Sequence, residues 1–150
     1  MNKAEKIVPY LNDYPNCSIG FGTKIWGNTN IYGATIGDNC SIGWGTEIGH
    51  AVIGNNVRIG AMCFLCEGNT VEDDVFIAPR VGFTNDKYPP ASKEAWLPTV
   101  VKKGASIGAG CTIVCGVTIG EGARIGAGSV VTKDVPAGET WCGVPARRMR

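Results

Sequence analysis

A large apolar residue returns at every sixth position along most of this 150-residue chain. The series runs Ile19, Ile25, Ile31, Ile36, Ile42, Ile48, Ile53, Ile59, Leu65, Val71, Ile77 and Phe83, then resumes at Val101, Ile107, Ile113, Ile119, Ile125 and Val131. Thirteen of these 18 positions are isoleucine. A helix would space its apolar residues at i, i+3, i+4 and i+7, and a half-buried strand would alternate; a period of six does neither. It predicts an all-β parallel β-helix of hexapeptide repeats. Each step is then one short strand and one corner, with one residue per step in a shared core. Three steps close a coil, so the chain holds about six to seven coils.

The departures from the period are ordered. Ile31 to Ile36 and Ile48 to Ile53 are steps of five, and Phe83 to Val101 is a step of eighteen. With coils starting at Ile19, Ile36, Ile53, Val71, Val101 and Ile119, all three departures fall at one corner. That register stacks Gly33, His50, Glu67, Asn85, Cys115 and Lys133 along one edge. Glycine often follows the aliphatic residue, where it tolerates left-handed or crowded backbone, while the β-branched isoleucines suit the stacked core. The whole chain reads as one domain, 1–150, with an inserted loop over 84–100 and a C-terminal cap and tail over 135–150. Residues 1–16, with Pro9 and Pro15, are expected to lead into or cap the first coil. Val135–Gly138 and Val144-Pro145 are expected to break strand pairing, close the last coil and leave a short basic tail.

Charge narrows the functional classes. The formal net charge is +1, and no basic block exceeds Arg147-Arg148-Met149-Arg150, which argues against nucleic-acid binding by bulk electrostatics. No apolar run reaches about 18 residues, and the start Met1–Lys6 is too polar for a signal peptide, so no membrane partner and a cytoplasmic location are expected. Seven cysteines include one C-x-x-C, Cys63 and Cys66, but no second pair at zinc spacing. They are expected as small buried thiols, with no metal.

The loop from Thr84 to Thr99 is the one long excursion from a regular solenoid, and loops on rigid scaffolds commonly carry function. Glu67 precedes Asn85 by one coil, which brings Glu67, Asn85 and Asp86 to a single corner. A carboxylate beside Asp86 is expected to raise one pKa and supply a proton acceptor near neutral pH.

The run Val101–Gly120, the preceding FTNDKYP, then GAGSVVTKDVP and the closing GVPAR resemble acetyl-CoA-dependent N-acetyltransferases of nucleotide-linked amino sugars, especially 3-amino-3-deoxy sugars. These are hexapeptide-repeat acyltransferases, and the resemblance covers roughly residues 19–150. It implies a left-handed parallel β-helix and a homotrimer with sites between subunits. It further implies acetyl transfer to a nucleotide sugar made for surface polysaccharide or O-antigen. By motif, Ala109 and Ala127 match positions offering backbone N–H groups to pantetheine, and Thr132, Lys133, Arg147 and Arg150 match the adenine and phosphate end. A basic terminus suits a phosphorylated nucleotide.

Related galactoside and maltose acetyltransferases place a histidine in the loop as general base. Here Asp86 stands near that place, and the only histidine is His50. The amino-sugar group likewise bears Asn-Asp. The expected roles are therefore Asn85 orienting the amine, Asp86 and Glu67 accepting its proton, and His50, Tyr88 and Arg80 contacting the substrate. Two other readings share the fold: an O-acetyltransferase on a sugar or other small hydroxyl acceptor, and a non-catalytic scaffold. A carbonic anhydrase with zinc on three histidines is excluded by the single histidine.

Overall fold

The computed structural model describes residues 14–150. Short strands of two to four residues wind into a three-sided prism of parallel sheets, six complete coils and the beginning of a seventh. The first face stacks Ser18–Ile19, Thr35–Ile36, Val52–Ile53, Asn69–Val71, Thr99–Val101 and Thr118–Ile119. The second runs from Lys24–Ile25 to Arg124–Ile125, and the third from Asn30–Tyr32 to Val130–Val131. The register pairs Ile19 with Ile36, Ile36 with Ile53, and Val71 with Val101, so the expected coil starts stand in one column. The eighteen-residue step is absorbed as a loop, and pairing resumes in register at Thr99.

Stacked aliphatics fill the prism. Ile42, Ile48, Leu65, Ile77, Ile107, Ile113, Ile119 and Val131 are all fully buried, each contributing roughly 1.5–3 kcal/mol of apolar burial. The column is less protected at its start, where Ile19 is 37 % exposed. Strand residues between the inward ones face out, which leaves Val52, Phe64 and Phe76 on the surface.

Two kinds of residue turn the corners. Positive φ is taken by Gly45, Gly110 and Gly128, and also by Asn39, Asn56, His50, Met62 and Arg80. The glycines directly after the aliphatics serve a different need. At Gly43, Gly60, Gly108 and Gly120 an added Cβ would come within 2.4–2.5 Å of the next coil's backbone. They are required by crowding, not by left-handed torsions. At the first-to-second corner a side-chain ladder replaces some of the missing pairing: Asp38, Asn55 and Asp73 accept N–H bonds from Phe21, Asp38 and Asn55 at 2.8, 2.8 and 2.7 Å.

The C-terminal segment differs from a plain tail. Thr140–Gly143 pairs parallel with Arg124–Ile125, and Ala146–Arg148 returns antiparallel beside it, so a hairpin extends the second face. Val144-Pro145 supplies its turn, and Ala146, 1 % exposed, joins the core. The proline ends one strand without ending the sheet. Residues 1–13 of the expected N-terminal lead-in lie outside the described residues; Tyr14 packs on the core. No helix among the described residues is long and apolar enough to cross a membrane.

All seven cysteines are free thiols, five of them buried. Their place in the coil explains Cys40, Cys63 and Cys111. The residue two before each inward aliphatic also points inward. There Thr46 donates to the Gly60 carbonyl at 2.9 Å, while Cys40, Cys63 and Cys111 donate to Gly54, Ala78 and Gly126 at 3.1–3.2 Å. A thiol stands where a hydroxyl would serve. Burial pushes the thiols of Cys40, Cys63 and Cys111 up, and that of Cys66 to about 11.

The folded state therefore holds these thiol protons more tightly than the unfolded chain, whose thiols titrate near 9.0. This contribution to stability is intact below about pH 9 and is lost as pH rises towards about 11. The expected Tm is level through neutral pH and falls across that window. An aromatic disulfide reagent at neutral pH is expected to label only the half-buried Cys17 and Cys142 quickly. Fast labelling of Cys66 in native protein would contradict this.

Candidate functional site

The loop springs from the third-to-first corner, hereafter the loop corner. Its neck is closed by the Leu97 N–H donating to the Asn85 carbonyl at 2.9 Å. Thr84, just before, accepts the Cys115 N–H at 3.0 Å and fixes the departing strand. Within the loop Asp86 receives the N–H groups of Tyr88 at 3.1 Å and Ala91 at 2.7 Å, one on each oxygen. A single 3₁₀ turn, Lys93–Ala95, then directs the chain back. Leu97 comes down on Gly116, where an added Cβ would lie 3.1 Å from its Cδ1.

This path covers a cavity of about 320 Å³ lined by Tyr32, Gly49, His50, Phe64, Cys66, Glu67, Asn85 and Trp96. Four successive coils of the loop corner thus contribute to one space, with Trp96 from the loop as its wall. A smaller cavity of about 170 Å³ lies on the other side of Trp96 and Glu67. Two further depressions, on the first and second faces, gather none of the corner residues.

Charge and packing order the larger cavity. Lys93 Nζ lies 2.8 Å from Glu67 Oε2 and 5.8 Å from the centre of the Trp96 ring. Lys93 thereby ties the loop to the coil. Glu67 Oε1 has no ion-pair partner among the described residues. At the lower end Tyr32 lies over Gly49, where an added Cβ would come 2.5 Å from the phenol ring. Its hydroxyl donates to Glu47 Oε1 at 3.1 Å, and its ring meets His50 edge-on, centroids 5.5 Å apart. Burial, then the Glu47 hydrogen bond, holds the Tyr32 hydroxyl above its ordinary range, so it stays a donor at neutral pH. His50 itself takes a left-handed backbone, φ +49°, as Gly33 does one coil earlier.

The expected site residues fall into groups. Glu67, Asn85 and His50 share the cavity. Asp86 is adjacent in sequence but does not line it, and the two carboxylates have separate partners: Lys93 for Glu67, loop N–H groups for Asp86. Tyr88 is 79 % exposed on the outside of the loop. Arg80 turns the second-to-third corner, on the opposite edge of the third face.

Ala109 and Ala127 stand at that opposite corner, one coil apart, flanked by Gly108, Gly110, Gly126 and Gly128. Their N–H groups donate no hydrogen bond to the backbone among the described residues. A strip of glycine and alanine with spare donors suits an extended amide-bearing ligand such as pantetheine. Thr132 and Lys133 are exposed at the loop corner, and Arg147 and Arg150 are exposed at and beyond the hairpin. One chain therefore does not bring the proposed cofactor residues together. Tyr32, Phe64 and Lys93 were not foreseen; Tyr32 stands at a position that glycine holds after only nine of the 18 inward residues, so the sequence does not mark it. No group of three or more His, Cys, Asp or Glu among the described residues is arranged to hold a metal.

Comparison with known proteins agrees with this architecture. Residues 98–133 match the family model of the bacterial transferase hexapeptide (six repeats), and residues 33–61 match that of the hexapeptide repeat of succinyl-transferase. Such repeats make the helix left-handed. The chain is 32 % identical over 120 residues to the bifunctional protein GlmU of Thermodesulfovibrio yellowstonii, covering 75 % of this chain and 24 % of that one. It is 50 % identical over 54 residues to the dTDP-3-amino-3,6-dideoxy-α-D-galactopyranose 3-N-acetyltransferase of Aneurinibacillus thermoaerophilus, covering 36 % and 28 %. Among solved structures it superposes with a TM-score of 0.78 on a mutant of the N-acyltransferase AntD from Bacillus cereus, in complex with dTDP-4-amino-4,6-dideoxyglucose and coenzyme A. The identity there is 27 %, covering 89 % of this chain and 82 % of that one. The chain spans from about a quarter to just over half of the first curated relatives' length.

The Lys93–Glu67 pair generates a local expectation. Both side chains are substantially exposed, so Lys93→Met is expected to change global stability by less than about 1 kcal/mol. Amide exchange at Trp96 and Leu97 is expected to speed up by about tenfold. Unaltered exchange there would mean that the loop is held without this pair.

Proposed function

We propose that this chain, a hexapeptide-repeat protein resembling the acyl-CoA-dependent sugar N-acetyltransferases, moves an acetyl group from acetyl-CoA to the amine of a nucleotide-linked amino-deoxy sugar. The observation that carries the reading is the convergence of Asn85 and Glu67 on one loop-covered cavity that holds no loop histidine. The names of two relatives support it, an acetyltransferase of a dTDP-3-amino sugar and an acyltransferase bound to a dTDP-4-amino sugar with coenzyme A. A role in surface polysaccharide or O-antigen synthesis is part of the proposal.

The chemistry follows from the nucleophile. A sugar ammonium must lose one proton before its nitrogen can attack a thioester carbonyl. Glu67, with one oxygen held by Lys93, offers the other to that proton directly or through a water. Asn85 orients the freed amine, and positioning contributes more than basicity because an amine is partly neutral near pH 7. Attack forms the C–N bond and a tetrahedral oxyanion, which a backbone N–H would stabilise by about 3 kcal/mol. Collapse breaks the C–S bond; the thiolate of coenzyme A takes the second nitrogen proton, leaving the amide and free thiol. Asp86 acts here by shaping the loop through its two N–H bonds.

The separation of residues argues for a homotrimer. The strip at Ala109 and Ala127 and the cavity at Asn85 occupy opposite edges of one face. They meet only if the loop corner of one chain sits against the alanine corner of the next, a heterologous contact that closes into a trimer when each step turns by about 120°. Lys133, Thr132, Arg147 and Arg150 would then hold the nucleotide end of acetyl-CoA. His50, two coils below Asn85, or about 10 Å at the usual strand spacing, stands too low to deprotonate a group at Asn85 and is assigned to the acceptor's far end. That distance disfavours the hydroxyl-acceptor reading.

Turnover of dTDP-3-amino-3,6-dideoxygalactose and dTDP-4-amino-4,6-dideoxyglucose, followed by free-thiol release from acetyl-CoA, tests the reading. Asn85→Ala is expected to lower kcat by about 10²-fold. Glu67→Gln is expected to lower it by about 10²-fold near neutral pH and to recover as rising pH deprotonates the amine itself. Wild-type rates in both variants, or transfer only to a hydroxyl acceptor, would reject the mechanism.

A further inference from the structure

Of the 22 glycines in the chain, eleven have positive φ. Ten more have another atom within 4 Å of where a Cβ would stand. Gly82 alone combines an ordinary φ with nothing within 4 Å of its missing Cβ; Gly27, in a bend outside any strand, has only an ordinary contact at 3.7 Å with the Trp44 ring. Gly82 sits within the strand Gly82–Phe83, a setting where glycine forgoes packing and where β-branched residues are favoured. The fold does not need a glycine here. A strand glycine with open space above it suits a place where a ligand or another backbone approaches closely.

Its neighbours say which ligand. On the outer surface of the third face Gly82 pairs with Phe64 below and Thr112 above. Phe64, 42 % exposed, is also a wall of the cavity that holds Asn85 and Glu67, so the gap over Gly82 adjoins that cavity. The gap has a flat peptide floor, an aromatic wall and one hydroxyl, and no cation stands in its row; the one charge there is the carboxylate of Glu47, on the strand beyond Phe64. Phosphates would call for cations, and the pantetheine arm is placed along the alanine corner. A pyranose, with one C–H-rich face and hydroxyls at its rim, matches an aromatic wall and a single polar partner.

Resting on the acetyl-transfer reading, we propose that Gly82 is a specificity-determining residue: the sugar ring of the acceptor lies on its bare backbone between Phe64 and Thr112, with the amine directed to Asn85. Any side chain at position 82 would take the space of the ring.

The test compares wild type, Gly82→Ala and Gly82→Val with dTDP-3-amino-3,6-dideoxygalactose and acetyl-CoA. KM for the sugar nucleotide is expected to rise about tenfold in Gly82→Ala and further in Gly82→Val, with KM for acetyl-CoA unchanged. Calorimetric binding of the sugar nucleotide alone should weaken in parallel. Tm should hold or rise, and the mass by light scattering should not change. An unchanged sugar-nucleotide KM overturns the proposal. So does a shift confined to acetyl-CoA, which would put the donor arm in the gap. A lower Tm or altered mass overturns it too, because the fold or a neighbouring chain would then own the space. Failure of wild type to acetylate any amine would reject the transfer reading instead, and calorimetry would still report whether position 82 controls sugar-nucleotide binding.

Discussion

Every property of this molecule depends on coil-to-coil registry. Each short strand makes too few hydrogen bonds to persist alone, and it is held by a strand before it and a strand after it. That holds only if the inward residue of each step lands over the last one. The pairing of Ile19 with Ile36, Ile53 with Val71 and Val71 with Val101 meets the condition through two shortened turns and an eighteen-residue excursion. Because registry survives all three at one edge, that edge is free to carry irregular residues. His50, Glu67 and Asn85 are those residues. The regularity of the solenoid and the irregularity of its site are one design.

The fold was legible because the core is a column. A period-six pattern of isoleucine is a direct image of stacking, and strand positions followed from it. The corner assignments followed as well, since coil length fixes which residues share an edge; Glu67 and Asn85 meet in a cavity for that reason. Side-chain partners were not legible. Nothing in the spacing says that Lys93 curls back to Glu67, or that Asp86 turns its oxygens to its own loop. Those contacts depend on the path of the loop, where the period gives no guidance. The hairpin at the end escaped for a related reason: Val144-Pro145 reads as a terminator, yet a proline in a turn interrupts nothing that the flanking strands need.

Polar groups in the interior follow the same logic of stacking. Threonine and cysteine stand in for one another at some inward corner positions, because each can give one hydrogen to a carbonyl of the following coil, while alanine and valine fill others, as at Ala51 and Val57. Asn69 and Thr99, paired across the first face beside the loop, are the exceptions: Asn69 Nδ2 and Thr99 Oγ1 are buried without a partner. Both lie on strands that flank the loop's coil. Among the described residues, the cost of departing from the regular repeat is thus concentrated in the coils that build the candidate site.

The closed neck of the loop has a broader meaning. With Leu97 bonded to Asn85 and pairing restored at Thr99, the twelve or so intervening residues enter and leave the scaffold at nearly one point. Their length and content can change without disturbing the register of the prism, to which they return chiefly through Lys93 and Leu97. A lineage carrying this architecture can therefore exchange one insert for another while its spine stays untouched, in the way a tool holder accepts different bits.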